Sequence, residues 1–212
     1  MRNQYRRGIA QLGRCTALTL LGFLTVGCHT ERPLGPPVPT GATILGGSTM
    51  TSAPPPPSGW QLHPVIPTSQ QQAQDTVLRY LKETINELPN GVTFDASRYG
   101  TAGGNTPCED KPHSATQLFS ALGDLKAPPD IHPDQLVAMT GDVWKRWGWW
   151  VVERDGIQKP NRSGFSPDGY ELHIGVPGIP GSPHITGTSP CFPTQLVRDD
   201  IPFPRTITAG AG

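Results

Sequence analysis

The stretch Leu136-Val137-Ala138-Met139-Thr140-Gly141-Asp142-Val143-Trp144-Lys145-Arg146-Trp147-Gly148-Trp149-Trp150-Val151-Val152-Glu153 changes its period at Gly148. Before that glycine, Leu136, Val137, Thr140, Val143, Trp144 and Trp147 recur every three or four residues, which is the spacing of one helix face. After it, Trp149 to Glu153 is a β-rich run that Asp155-Gly156 ends in a turn. Pro133 suits the first turn of the helix, where a missing N–H costs nothing, and Asp134 lies near the positive end of the helix dipole. Gly148 is the predicted stop.

Reading outward from this junction finds the same two element types. Ala73, Val77, Leu81, Ile85 and Leu88, with Tyr80 beside them, predict an amphipathic helix over Ser69 to Leu88, capped by Thr68 or Ser69 and stopped by Pro89-Asn90-Gly91. Val92 to Tyr99 reads as a short strand and Gly100 to Pro112 as a loop, while Ser114 to Leu125 fits either a strand or a helical turn. Downstream, Tyr170, Leu172, Ile174 and Val176 alternate with Glu171 and His173, predicting a strand with one buried and one wet face. His184 to Thr188 is a further short segment. Two helices and several strands in this order predict an α+β two-layer sandwich, its helices packed on one face of a mostly antiparallel sheet.

The rest of the 212-residue chain contributes little to a core. His29 to about Pro67 is dominated by Pro, Gly, Ser and Thr, includes Pro54-Pro55-Pro56-Pro57, and has no helical or strand period, so it reads as a tether. The predicted organisation is therefore a leader over 1–27, a tether over 28–67, one domain over 68–198 and a disordered tail over 199–212. The leader has a basic start (Arg2, Arg6, Arg7, Arg14), an apolar run from Ala17 to Val26, and then Gly27-Cys28. That run is about ten residues long, where a helix needs roughly 20 to cross a bilayer, so it is read as an export signal. Leu24-Thr25-Val26-Gly27-Cys28 resembles the lipobox of bacterial lipoproteins, in which a small residue precedes the cysteine that receives lipid; Thr25 stands where that motif usually has Leu, Val or Ile.

Cleavage removes Cys15 and lipidation occupies Cys28. Cys108 and Cys191 then remain in an exported domain, where pairing is the default, and they are predicted to form a disulfide. Four of the 17 basic residues lie in the leader, leaving 13 against 17 acidic ones, a net charge of −4 that argues against a nucleic-acid partner.

No catalytic, metal or cofactor site is legible. The six histidines lack metal-motif spacing; His173 and His184 could face each other on neighbouring strands, as ligands or as solvated positions. Glu153 and Asp155 would share a strand face, which fits acid and base work but equally a solvated face ending at a turn. Nucleophile-elbow and phosphate-loop patterns are missing. Four of the five tryptophans fall between Trp144 and Trp150, either as the core where helix meets strand or as a stacking surface. Strand alternation sends Trp149 and Trp150 to opposite faces, making these two the candidate partner-binding residues.

Val143-Trp144-Lys145-Arg146-Trp147-Gly148-Trp149, Ser166-Pro167-Asp168-Gly169-Tyr170 and Ile185-Thr186-Gly187 before Cys191-Phe192, together with the leader, resemble the small lipoproteins of mycobacteria and related actinobacteria, of the LppA type. The resemblance covers the leader and roughly Ser69 to Leu196. It implies a lipid anchor on the outer face of the cell membrane and no reaction. The expected function is a monomeric, non-enzymatic envelope lipoprotein that binds or supports an envelope protein, a glycan or a phage component. Similar lipoproteins carried by phages and prophages imply superinfection exclusion as an alternative, and a cell-wall enzyme is a third. On this reading the wild type partitions into detergent, whereas Cys28→Ala accumulates as unprocessed precursor; normal maturation of the mutant on a gel would refute lipidation.

Overall fold

The computed structural model describes residues 54–111, 113–178, 181–198 and 200–210, so the leader and Cys28 lie outside the described residues. The chain runs α1 (Gln70–Glu87), β1 (Thr93–Asp95), β2 (Gly103–Pro107), β3 (Thr116–Lys126), α2 (Pro133–Arg146), β4 (Trp150–Val152), β5 (Asn161–Phe165), β6 (Glu171–Gly175), β7 (His184–Thr188), β8 (Phe192–Pro193) and β9 (Thr206–Thr208). All nine strands belong to one antiparallel sheet with the path β4-β5-β6-β7-β3-β1-β9. The long β3 is its spine: β8 and β7 lie along one edge, β2 and β1 along the other.

Both helices form where the sequence places them. Ser69 caps α1 by accepting a hydrogen bond from the Gln72 amide at 3.1 Å. Ala73, Val77, Leu81, Ile85 and Leu88 are all buried. His132 caps α2 in a capping box with Gln135, Pro133 follows in the first turn, and Gly148 takes φ +77°, the left-handed backbone that ends a helix at little cost.

Register shows why both helices share one face. Gly164 of β5, Leu172 of β6, Gly187 of β7 and Ala121 of β3 are successive cross-strand partners, so their side-chain positions point the same way. A Cβ on Gly164 would meet the Trp144 ring of α2 at 2.6 Å, and one on Gly187 would meet Val77 of α1 at 2.9 Å. Each helix therefore presses in at a glycine, α2 at Gly164 and α1 at Gly187, on either side of Leu172. Among the described residues no helix lies on the opposite face, which carries Trp150, Phe165, Glu171, His173 and Thr188.

Four expectations need correction. The loop over Gly100 to Pro112 contains β2, whose Gly103 leaves room for the Phe119 ring of β3. The strand expected over Val92 to Tyr99 pairs only as β1, because Ala96 to Tyr99 turn away through a Tyr99 N–H to Ala96 carbonyl bond. The tether does not extend to Pro67 as a free linker: His63 N–H donates to the Pro167 carbonyl at 2.7 Å, Val65 N–H donates to the Asp168 carbonyl at 2.9 Å, and Trp60 packs on Trp150. The tail expected to be disordered over 199–212 instead supplies β9, with Ile207 buried beside Phe94 and Phe203 packed on Phe119. A three-residue strand among prolines is too short to display a period, and only its docking reveals it.

Ser114 to Leu125, open between strand and helix, is strand β3. Cys108 and Cys191 form the predicted disulfide, with Cα atoms 6.3 Å apart, tying the end of β2 to the residue before β8 on either side of the start of β3. At a sequence separation of 83, the chain-entropy contribution is ~4–5 kcal/mol, a large share of the roughly 5–15 kcal/mol typical of a whole domain. Urea unfolding of Cys108→Ser is expected to show a loss of about 4 kcal/mol; a midpoint unchanged from wild type would mean that the bond does not form.

Candidate functional site

The two candidate tryptophans separate at the start of β4. Trp149 is 7% exposed and sits in the core between Trp144, Trp147 and Tyr80, with ring centroids 6.2, 5.3 and 4.8 Å away. It is therefore removed from the candidate surface. Trp150 points to the uncovered face, half-buried, stacked on Phe165 at 4.6 Å with an interplanar angle of 28°, and flanked by Trp60 at 5.6 Å. Strand alternation alone sends neighbours to opposite sides; the helices decide which side is core.

Trp60 is the residue that the sequence reading missed, since it lies in a stretch without periodicity. It arrives on a strap that passes over the Ser166–Tyr170 hairpin turn. Ser166 holds this turn with its backbone N–H, which donates to the Tyr170 carbonyl, and with its Oγ, which accepts from the Tyr170 amide, while Asp168 accepts from both Ser166 Oγ and Tyr80 Oη. Burial, then the Asp168 contact, pushes the Tyr80 hydroxyl up to about 12, so it remains a donor. The Ser-Pro-Asp-Gly-Tyr motif thereby links α1, the sheet and the strap.

Beyond the aromatic end, the open face is polar and largely self-paired. Arg154 lies over Phe165, 5.8 Å from the ring centre, and meets Glu171 at 2.5 Å. Burial raises Glu171, opposed by the Arg154 charge. His173 Nδ1 is 3.0 Å from Ser163 Oγ, and its ring lies 5.9 Å from that of His184, so the two histidines do face each other on β6 and β7. Burial first, then the charges of Arg154 and His184, pushes His173 down to about 4. His184 is lowered by burial against the raising effect of Asp124. Asp124 in turn is bound by Arg98 at 2.6 Å and by Tyr99 Oη at 2.9 Å. Among the described residues no group of three or more His, Cys, Asp or Glu is placed to hold a metal ion.

Glu153 and Asp155 are both engaged. Lys159 reaches Glu153 at 3.3 Å and Asp155 at 2.8 Å, and Arg162 also binds Glu153. These contacts lower both carboxyls, chiefly Arg162 for Glu153 and Lys159 for Asp155, so each stays ionised and neither is poised to carry a proton. No helix among the described residues is long and apolar enough to cross a membrane.

Compared with known families, curated proteins and solved structures, the chain matches none.

Because His173 titrates near 4 when folded against 6.5 when unfolded, the unfolded chain takes up a proton first, and stability falls as pH drops from 6.5 towards 4. Denaturant melts across that window should show a shallower loss for His173→Gln than for wild type. Equal slopes would place the acid sensitivity elsewhere.

Proposed function

We propose that the chain is a lipid-anchored lipoprotein of the cell envelope, held at the outer face of the membrane through Cys28, and that it works there as a non-enzymatic binding module. The observation that supports this best is the division of the tryptophans. Indole is costly to leave in water, yet Trp150 stands on the sheet face that no helix among the described residues covers, packed between Phe165 and Trp60. The groups that would have suggested chemistry are occupied in other ways: Glu153 and Asp155 in ion pairs, and Ser163 wholly buried beneath His173. The open face offers recognition through a fixed surface, which is what an anchored binding module needs.

The test is recovery of envelope components with the full chain from detergent-solubilised membranes. Trp150→Ala is expected to lose what wild type retains while staying folded, with a far smaller drop in melting temperature than Trp149→Ala. Trp149→Ala should instead cost about 3–5 kcal/mol of stability, because it empties the core. Full recovery by Trp150→Ala would remove the open face from the function.

A further inference from the structure

The strap that leads into α1 carries apolar side chains that the domain does not cover. Among the described residues four large hydrophobic side chains stand exposed. Three of them, Leu62 at 52%, Val65 at 51% and Ile66 at 62%, fall close together on the strap, and the fourth, Ile157, lies in the turn between β4 and β5. Even a fully extended chain puts at most ~14 Å between Leu62 and Ile66, so the three form one cluster. The backbone beneath them is fixed. His63 and Val65 donate their N–H groups to the Pro167 and Asp168 carbonyls, Pro64 sits against Gly169, where a Cβ would come within 3.2 Å of it, and Pro67 is buried. Folding has thus already met the ordering cost of presenting these side chains. Aliphatic surface held in water in this way gains free energy when something covers it.

We propose that Leu62, Val65 and Ile66 insert into the surface of the lipid bilayer, so that the domain docks on the membrane as well as being tethered to it. The inference rests on the lipid-anchored reading and adds to it a second membrane contact. Chain continuity argues for this occupant. The segment from Cys28 to Pro54 spans at most ~90 Å even when fully extended, which holds an anchored strap at an effective concentration on the order of millimolar at the bilayer, enough for a weak contact to be populated. Charge argues for it as well. Between Arg32 and Asp75 the sequence has no Asp, Glu, Lys or Arg, and His63 is the one titratable side chain in that run. The strap and the chain leading to it can therefore approach lipid without stripping water from an ion. Composition separates a bilayer from a protein partner. Protein interfaces are anchored by Trp, Tyr and Arg, with Leu and Val under-represented, and are oriented by charge pairs. A cluster of Leu, Val and Ile with no ionised neighbour along the chain is instead what enters the acyl boundary of a membrane.

The mature, lipidated chain is reconstituted into phosphatidylcholine vesicles whose acyl chains carry a nitroxide quencher. Tryptophan emission should be quenched, because Trp60 stands two residues from Leu62. Leu62→Ser, Val65→Ser and Ile66→Ser together should remove most of that quenching while the chain stays on the vesicles through Cys28. The melting temperature in detergent should not move, since all three side chains are exposed. Ile157→Ser, at the exposed aliphatic position outside the strap, should change nothing. Quenching should persist from low to high salt and should not rise when phosphatidylglycerol is added, because no charged side chain takes part. Equal quenching in wild type and the triple variant, or none in wild type, would overturn the docking and leave the anchor standing. A wild type that washes off the vesicles refutes the anchor, and the docking with it. If wild type is unquenched, and is a dimer in detergent that the triple variant converts to a monomer, the strap is a contact between copies and the membrane assignment falls.

Discussion

The Trp144 indole is the point at which both helices and the sheet meet. Its ring lies over Gly164 of β5, where any Cβ would collide with it, and it stacks on Trp149 at the entry to β4. Its N–H donates to Thr84 Oγ1 of α1 at 3.1 Å, and Thr84 in turn donates to the Tyr80 carbonyl. A wholly buried indole needs such an acceptor, since an unpaired N–H would cost ~1–3 kcal/mol. One side chain thus sets the distance from α2 to the sheet, the contact between the helices and the direction in which Trp149 is buried.

The open face follows from that packing. With Trp149 drawn into the core, Trp150 has to emerge on the other side of the sheet, where Phe165 supports it. The strap then brings Trp60 to the same place, held by backbone bonds to the hairpin whose Asp168 is fixed by Tyr80 of α1. The aromatic end of the open face is therefore coupled through Asp168 and Tyr80 to the core on the opposite side of the sheet.

The polar part of that face is mostly neutralised within itself. Arg154 answers Glu171, Arg98 answers Asp124, and His173 is kept uncharged by its surroundings. Under the proposed binding role, a surface of this kind suits ligands read by shape and hydrogen bonds over ligands read by charge. It also explains why the paired carboxylates at Glu153 and Asp155 are poor candidates for proton transfer, because Lys159 and Arg162 stabilise their ionised forms.

Both helices and their stops, the start of the second at Pro133, the alternating strand β6, the disulfide and the α+β class were legible in the sequence, whereas the His132 cap of α2 was not. Each of these has a local cause: a helical or two-residue period, a capping side chain, a proline or glycine stop, or a count of cysteines. Tertiary structure alone decided β2, β5 and β9. In β5 the inward positions are Arg162 and Gly164, so the strand carries no apolar alternation; the hydrophobic mass filling its place is Trp144 from α2. In β2 Gly103 gives way to Phe119 in the same manner, and β9 gains its identity only by pairing with β1. The site divides likewise. Alternation established that Trp149 and Trp150 part company, but the side on which the helices packed chose Trp150 for the open face. Trp60 joined it through backbone hydrogen bonds, which any residue can make and which therefore leave no mark in a sequence.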